Sequence, residues 1–361
     1  MLEINLNAVE HNLNYFKSLL RRETKICVMV KAFSYGSGTF ELANLFQFNR
    51  VDYLAVAFAD EGAELRHNGI SLPIIVMNPD PQGFDLMIEN NLEHEIYSFT
   101  KLNEFVKSTH RNQVKTYPIH LKVDTGMHRS GFLSHEIAKL SAILEQNADA
   151  IQVSTVFSHL AASDEEEHDG FTLQQFNRFD AMYHQLVSHL TYKPMRHILN
   201  SAGIERFPDS QYEMVRLGIG VYGISARHDP NLQQIGTLKS TITQIKNVPA
   251  GETVGYGRKG KLKANATIAT VPIGYADGLR RNLSRGVGKM LVNGHLTPII
   301  GNICMDMTML DVTNVEVKEG DEVIVFGMGL PVSQLAEWAQ TIPYEILTGI
   351  SPRVKRVYFR E

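Results

Sequence analysis

The sequence predicts an α/β protein: an N-terminal (β/α)8 barrel of the TIM type over residues 1–231, followed by a mostly β domain over 232–361. Three observations predict it. Short apolar runs near 26–30, 53–57, 73–77, 94–97, 118–123, 153–158, 196–200 and 214–218 alternate with longer amphipathic stretches. After Asp229-Pro230-Asn231 the texture changes to short β-rich runs spaced by Gly and Pro. No G-x-G-x-x-G opens a helix, which argues against a doubly wound dinucleotide sheet.

Each element has a local reason. Met1 to Leu6 alternates like a strand, so the chain begins almost inside one; a domain fused to something upstream stays open. Ile26-Cys27-Val28-Met29-Val30 is a buried strand of the kind that parallel sheets cover on both faces. Gly38 to Phe48 sets Leu42, Leu45 and Phe46 on one helical face, and Ile137–Leu144 and Phe171–Leu190 repeat that pattern. The fourth run, 94–97, reads least clearly as a strand. In the second domain the β runs are 240–245, 267–271, 289–292, 309–312 and 321–326. Val292-Asn293-Gly294 and Lys318-Glu319-Gly320-Asp321 mark turns, and Val332 to Ala339 reads as a short helix.

Composition excludes several classes. The 361 residues are 43% apolar and 20% charged, with a net charge of -4 and no basic tract, which argues against nucleic acid and membrane surfaces as partners. No run reaches membrane-span length, and the start lacks the regions of a signal peptide. Cys27 and Cys304, far apart, supply neither a disulfide framework nor metal-ligand spacing, so no metal is expected and a reducing cytoplasm is the default.

Function in such a barrel collects where strands end. The first ends in Lys31, with Tyr35-Gly36-Ser37-Gly38 in its loop; a desolvated lysine is a nucleophile near neutrality, and the glycines suit an anion-binding loop. The fifth ends in Lys122-Val123-Asp124-Thr125-Gly126-Met127-His128-Arg129, the sixth in Ser158-His159 and the seventh in Asn200-Ser201. The eighth runs Met214-Val215-Arg216-Leu217-Gly218-Ile219-Gly220. Singly these are a solvent-reaching lysine, solvated charges, a satisfied histidine and a helix cap. Together a lysine amine, an imidazole and a phosphate cup at the last two strands suit a Schiff base with a phosphorylated aldehyde, and pyridoxal 5'-phosphate is that cofactor.

The chain resembles alanine racemase, a fold-type III pyridoxal-phosphate family, over essentially its whole length. The resemblance rests on Val30-Lys31-Ala32 with Tyr35-Gly36, Lys122-x-Asp124-Thr125-Gly126-Met127-x-Arg129, Ser158-His159, His197-x-x-Asn200-Ser201, Arg216-Leu217-Gly218-Ile219 with Tyr222-Gly223, Gly274-Tyr275-Ala276-Asp277-Gly278, and Cys304-Met305-Asp306. It implies that Lys31 carries the cofactor and is one catalytic base, and that Tyr275 is the other, entering from a partner subunit of a homodimer. It implies that Tyr35, Ser201, Gly218 and Ile219 hold phosphate, with Asn200 beside them, that His159 packs near the ring, and that Arg216 faces the pyridine nitrogen. Arg129 would meet the ring hydroxyl and the substrate carboxylate, Met305 and Asp306 would line the substrate pocket, and Lys122 would be carbamylated. The implied reaction interconverts L- and D-alanine for peptidoglycan. Phe33 and Ser37 stand where the family usually has Asn or Asp and His, and Pro352 where several members place a tyrosine. Racemases of serine, lysine or arginine, and a non-catalytic pyridoxal-phosphate carrier, are the competing readings. The carrier would lack Tyr275 and the second domain. Related decarboxylases differ in domain order, and a metal-dependent hydrolase would need a histidine pair on the first strand.

Overall fold

The computed structural model describes residues 1–227 and 229–360. Strand β1 (Leu2–Asn5) comes first, then the eight barrel strands β2 (Lys25–Met29), β3 (Tyr53–Val56), β4 (Ile74–Val76), β5 (Glu93–Ile96), β6 (Tyr117–Lys122), β7 (Ile151–Phe157), β8 (Met195–His197) and β9 (Met214–Leu217). All eight runs read from the sequence are strands. Every barrel pairing is parallel, in the order β8-β7-β6-β5-β4-β3-β2-β9. At the seam between β9 and β8, the Arg216 amide donates to the Leu199 carbonyl at 2.9 Å, so the barrel is nearly closed.

Helices cover the outside because their apolar stripes match the strands' outer faces. Thr39–Phe48 buries Leu42, Leu45 and Phe46, as its spacing predicts. Asp169–Val187 buries Phe176, Phe179, Met182 and Leu186. The interior is unusually polar for a barrel, and that explains the weak fourth run. Residues two apart on a strand share a face. Glu93 and Glu95 on β5 therefore both reach partners on β6: Glu93 meets His120 and Glu95 meets Lys122.

Within the segment assigned to the barrel, β1 lies elsewhere. It pairs antiparallel with Gly236–Thr241 and parallel with Arg356–Phe359, in a six-stranded sheet of the second domain. The predicted 240–245 run is two strands, Gly236–Thr241 and Gln244–Val248, in different sheets. The chain changes partners at the break: the Ile242 amide donates to Asp321, and the Thr243 amide to Thr270. The Asn293-Gly294 turn joins Lys289–Val292 to His295–Pro298, both residues at positive φ as a tight hairpin requires. The predicted helix is Val332–Trp338, and a second one, Pro343–Thr348, follows it unforeseen.

Candidate active site

Lys31 opens a left-handed turn. Ala32, Phe33, Ser34 and Tyr35 all have φ between 47° and 56°, although none is glycine. L-residues pay about 1–2 kcal/mol each for that conformation, so the surroundings must hold the turn. They do so at several points. The Glu61 carboxylate accepts from the amides of Ala32 (2.7 Å) and Ala57 (2.6 Å), tying the turn to the end of β3. The Tyr222 hydroxyl donates to the Met29 carbonyl at 2.8 Å, and its ring packs 4.6 Å from that of Tyr35. The helix Pro343–Thr348 closes over the turn. Tyr344 lies 5.9 Å from the Tyr35 ring, and Arg356 donates to the Gly36 carbonyl at 2.9 Å.

Gly36 sits at φ 78°, where an added Cβ would overlap the Leu347 carbonyl oxygen. Gly36→Ala is therefore expected to cost roughly 2–4 kcal/mol of stability, from backbone strain and overpacking together. A urea midpoint equal to wild type at unchanged slope would show that the helix gives way freely.

Burial lowers the Lys31 pKa, and the Arg129 and Lys122 cations add to the effect, while Glu95 and Glu61 oppose it. Desolvation thus favours a free amine, the property its strand-end position suggested.

The anion cup forms where β8 and β9 end. Asn200 caps the helix Ser201–Arg206 through Gly203, and its side-chain oxygen also accepts from Ser163. The Ser201 hydroxyl oxygen accepts from the amides of Gly218 (2.9 Å) and Gly220 (3.2 Å). A Cβ on Gly218 would stand 3.0 Å from the Tyr35 hydroxyl and 3.9 Å from the Ser201 hydroxyl. Bare backbone therefore keeps the space between two hydroxyls, and Ile219 follows directly. Amine, hydroxyls and amides are the donor set a phosphorylated aldehyde requires, so the residues present fit that group.

Arg216 is fully enclosed. It donates to His197 Nδ1 at 2.7 Å, to the Ser158 carbonyl at 2.6 Å and to His159 Nδ1 at 3.1 Å. A guanidinium cannot accept, so the directions behind it follow. His197 Nε2 donates to Thr155 (2.9 Å), Thr155 donates to His120 Nδ1 (2.8 Å), and His120 Nε2 donates to Glu93 (2.7 Å). This chain crosses the barrel interior and fixes Arg216 from behind. Burial and the adjacent Arg216 cation hold His159 and His197 well below the ordinary histidine pKa, so both are neutral. Burial pulls Arg216 down to about 10, still cationic at neutrality.

The Arg129 loop is closed at its base: the Asp124 amide donates to the Phe132 carbonyl and the Phe132 amide to the Lys122 carbonyl, each at 2.9 Å. Gln175, buried on the Asp169–Val187 helix, donates to Thr125 and to the His159 carbonyl, both at 3.0 Å. Arg129 itself is exposed. Lys122 pairs with Glu95, its Nζ 3.0 Å from Oε1.

The remaining sequence-selected residues form a separate cluster. The Tyr275 turn backs onto Cys304 and Met305, since the Tyr275 amide donates to the Cys304 carbonyl at 3.0 Å. Arg353 clamps the two segments, donating to Asp277 at 2.7 Å and Asp306 at 2.6 Å. Tyr275 is 44% exposed and Met305 53%. Among the described residues, no hydrogen bond or ion pair joins this cluster to Lys31.

Glu61, Glu93, Glu95, His120, Thr155, Gln175, Tyr344 and Arg353 were not anticipated. Their contacts depend on strand register and on long-range packing. The acids of the fourth run were the one local signal, because a charged strand needs buried partners. Pro352 is exposed, and Tyr344 from the adjacent helix packs against Tyr35 with the rings tilted by 51°. Ser37 is buried, its carbonyl accepting from Tyr358 at 3.1 Å, and Arg356 lies over the Phe33 ring.

A mouth of this composition, joined to a β domain on one chain, is the frame of the two-domain fold-type III pyridoxal-phosphate enzymes. The alanine racemase N-terminal domain family matches residues 4–226, and the alanine racemase C-terminal domain family matches residues 235–358. A relative named alanine racemase 2, from Caldanaerobacter subterraneus subsp. tengcongensis, is 36% identical over 99% of this chain and 94% of its own. The solved alanine racemase of Clostridium difficile 630 superposes with a TM-score of 0.92 at 36% identity, over 100% of this chain and 95% of that one. The alanine racemase of Bartonella henselae, solved with covalently bound pyridoxal phosphate, gives a TM-score of 0.90 at 27% identity over 99% of both chains. The chain belongs to the alanine racemase family. Among the described residues, no helix is long and apolar enough to cross a membrane.

Proposed function

We propose that this chain interconverts L-alanine and D-alanine with pyridoxal 5'-phosphate, as a homodimer whose sites are shared, in the cytoplasm, supplying D-alanine for peptidoglycan. The observation that carries the reading is the division of the site. Lys31, Tyr35, Ser201 and Arg216 converge on the barrel mouth, while Tyr275, Met305 and Asp306 stand together on exposed surface of the second domain.

Lys31 anchors the cofactor, and Tyr35, Ser201 and the backbone of Gly218 and Ile219 hold its phosphate. Bound there, pyridoxal phosphate supplies the electron sink that makes an amino acid's α-proton removable. Arg216 keeps its protons, so it donates toward the ring nitrogen without protonating it, and His159 packs beside the ring as a neutral imidazole. A weak sink favours prompt return of the proton to the α-carbon. Racemisation needs bases on opposite faces, because one side chain cannot easily serve both. Lys31 Nζ takes or gives the proton on one face, and the partner subunit's Tyr275 does so on the other. Arg129 orients the substrate carboxylate, and Met305 and Asp306 narrow the pocket.

The direct test is a substrate panel of alanine, serine, lysine and arginine, each followed by chiral chromatography in the presence of the cofactor. Alanine should approach equal amounts of both enantiomers from either side, faster than the others. Bound cofactor with no conversion of alanine would overturn the proposal.

A further inference from the structure

Lys122 and Glu95 stand apart from every other ion pair among the described residues. Both side chains are almost wholly buried, at 8% and 1% exposure, with Nζ 3.0 Å from Oε1. Neither carboxylate oxygen of Glu95 has a well-aligned hydrogen-bond partner, so the pair is held by charge proximity, and the ammonium lies over the Phe157 ring at 5.6 Å. Burial raises the Glu95 pKa, and the Lys122, Arg216 and Arg129 cations around it act in the opposite sense, favouring the carboxylate. The pairing follows from register: Glu95 is opposite His120 on the neighbouring strand, and Lys122 is two residues further on the same face.

The resemblance to the family implies a carbamate on Lys122. Forming one requires the neutral amine. The Nζ lone pair makes an N–C bond to carbon dioxide, one C–O π pair moves onto oxygen, and a nitrogen proton leaves to solvent. Burial, helped by the Arg129 and Arg216 cations, pulls the Lys122 pKa down, toward the reactive amine, and Glu95 opposes that pull. A carbamate here would also set a second anion against Glu95, with one N–H left between them where the ammonium offers three.

The geometry points to Glu95 as an encoded anion that holds Lys122 as an uncarbamylated ammonium. Glu95 is then a positioning residue: its carboxylate stands in the cation cluster where an acquired carbamate would otherwise stand. The activity readout below rests on the racemase reading, but the chemical state of Lys122 does not.

The test equilibrates the holoenzyme with carbon-13 bicarbonate and reads carbamate by NMR, comparing wild type, Lys122→Ala, Glu95→Gln and the double variant. Wild type should show no carbamate signal that Lys122→Ala removes; subtraction disposes of the amino terminus. Glu95→Gln should gain a signal of roughly one carbon per chain, lost again in the double variant, because its buried amine is no longer paired. Wild-type kcat and KM should be the same in carbon-dioxide-depleted and bicarbonate buffers. Glu95→Gln should lose kcat several-fold in depleted buffer and recover in bicarbonate, a rescue that damaged packing would not show. A wild-type signal removed by Lys122→Ala overturns the proposal, and so does folded Glu95→Gln with neither signal nor rescue. Should Glu95→Gln not fold, the wild-type spectrum decides alone. Absence of racemisation with these NMR results intact would count against the proposed function and leave the Glu95 assignment standing.

Discussion

Lys31→Ala is expected to lower alanine racemisation by about 10⁴-fold or more and to abolish covalent attachment of the cofactor. The loss is large because one side chain is asked to do two things. In the proposed function it both tethers the cofactor and moves a proton on one face of the substrate. Its surroundings suit both tasks: burial and the neighbouring cations lower its pKa, and the left-handed turn fixes where the stem begins. The turn is held by Glu61, Tyr222 and the Pro343–Thr348 helix, none of which bonds to the amine itself. Truncation to alanine should therefore leave the fold intact, which circular dichroism and a urea midpoint would verify. In wild type, borohydride reduction followed by peptide mapping should place the cofactor on the peptide containing Lys31. Label on Lys122 instead would show that the wrong amine has been assigned.

Mixing two inactive variants should restore activity. Lys31→Ala damages the barrel mouth, and Tyr275→Phe removes the hydroxyl on the exposed turn of the second domain. In the proposed shared-site dimer, each variant homodimer then lacks one base at both sites. After subunit exchange, a heterodimer has one site with both defects and one with neither. Random pairing at equal amounts makes about half the dimers mixed, so roughly a quarter of all sites recover. Exchange itself is checked by native mass spectrometry with one partner isotopically heavy. Mixed dimers that stay as inactive as their parents would show that Tyr275 does not act across an interface. The two-base scheme would then need another partner for Lys31. The Arg353 clamp makes the experiment clean, since its guanidinium holds the Tyr275 turn to Asp306 through the Asp277 and Asp306 carboxylates, which Tyr275→Phe does not touch.

Much of this architecture was legible from local pattern. The barrel strands announced themselves as short apolar runs because strands covered on both faces need little else. The Thr39–Phe48 helix was legible from three apolar residues on one face. Where legibility failed, a partner distant in sequence had made the decision. Strand β5 read poorly because its acids are paid for by His120 and Lys122 across the barrel interior. The run from Ser240 to Ile245 was read as one strand, since nothing local marks the point where Asp321 and Thr270 divide its amides between two sheets. The Pro343–Thr348 helix, only six residues long, is too short to show a period.

Residue types in local order set which chemistry the chain can carry: an amine at a strand end, glycines and hydroxyls for an anion, an arginine within the last strand and a tyrosine on a glycine-flanked turn. Those are properties of residue types in local order, and folding does not change them. What each group meets is set by the fold. It turned the backbone left-handed after Lys31, set Arg216 at the end of a hydrogen-bonded chain reaching Glu93, and placed Glu95 against Lys122. The physical reason is that a charge's state depends on its desolvation and on its neighbours, and both are set by strand register and packing rather than by the residues beside it in the chain.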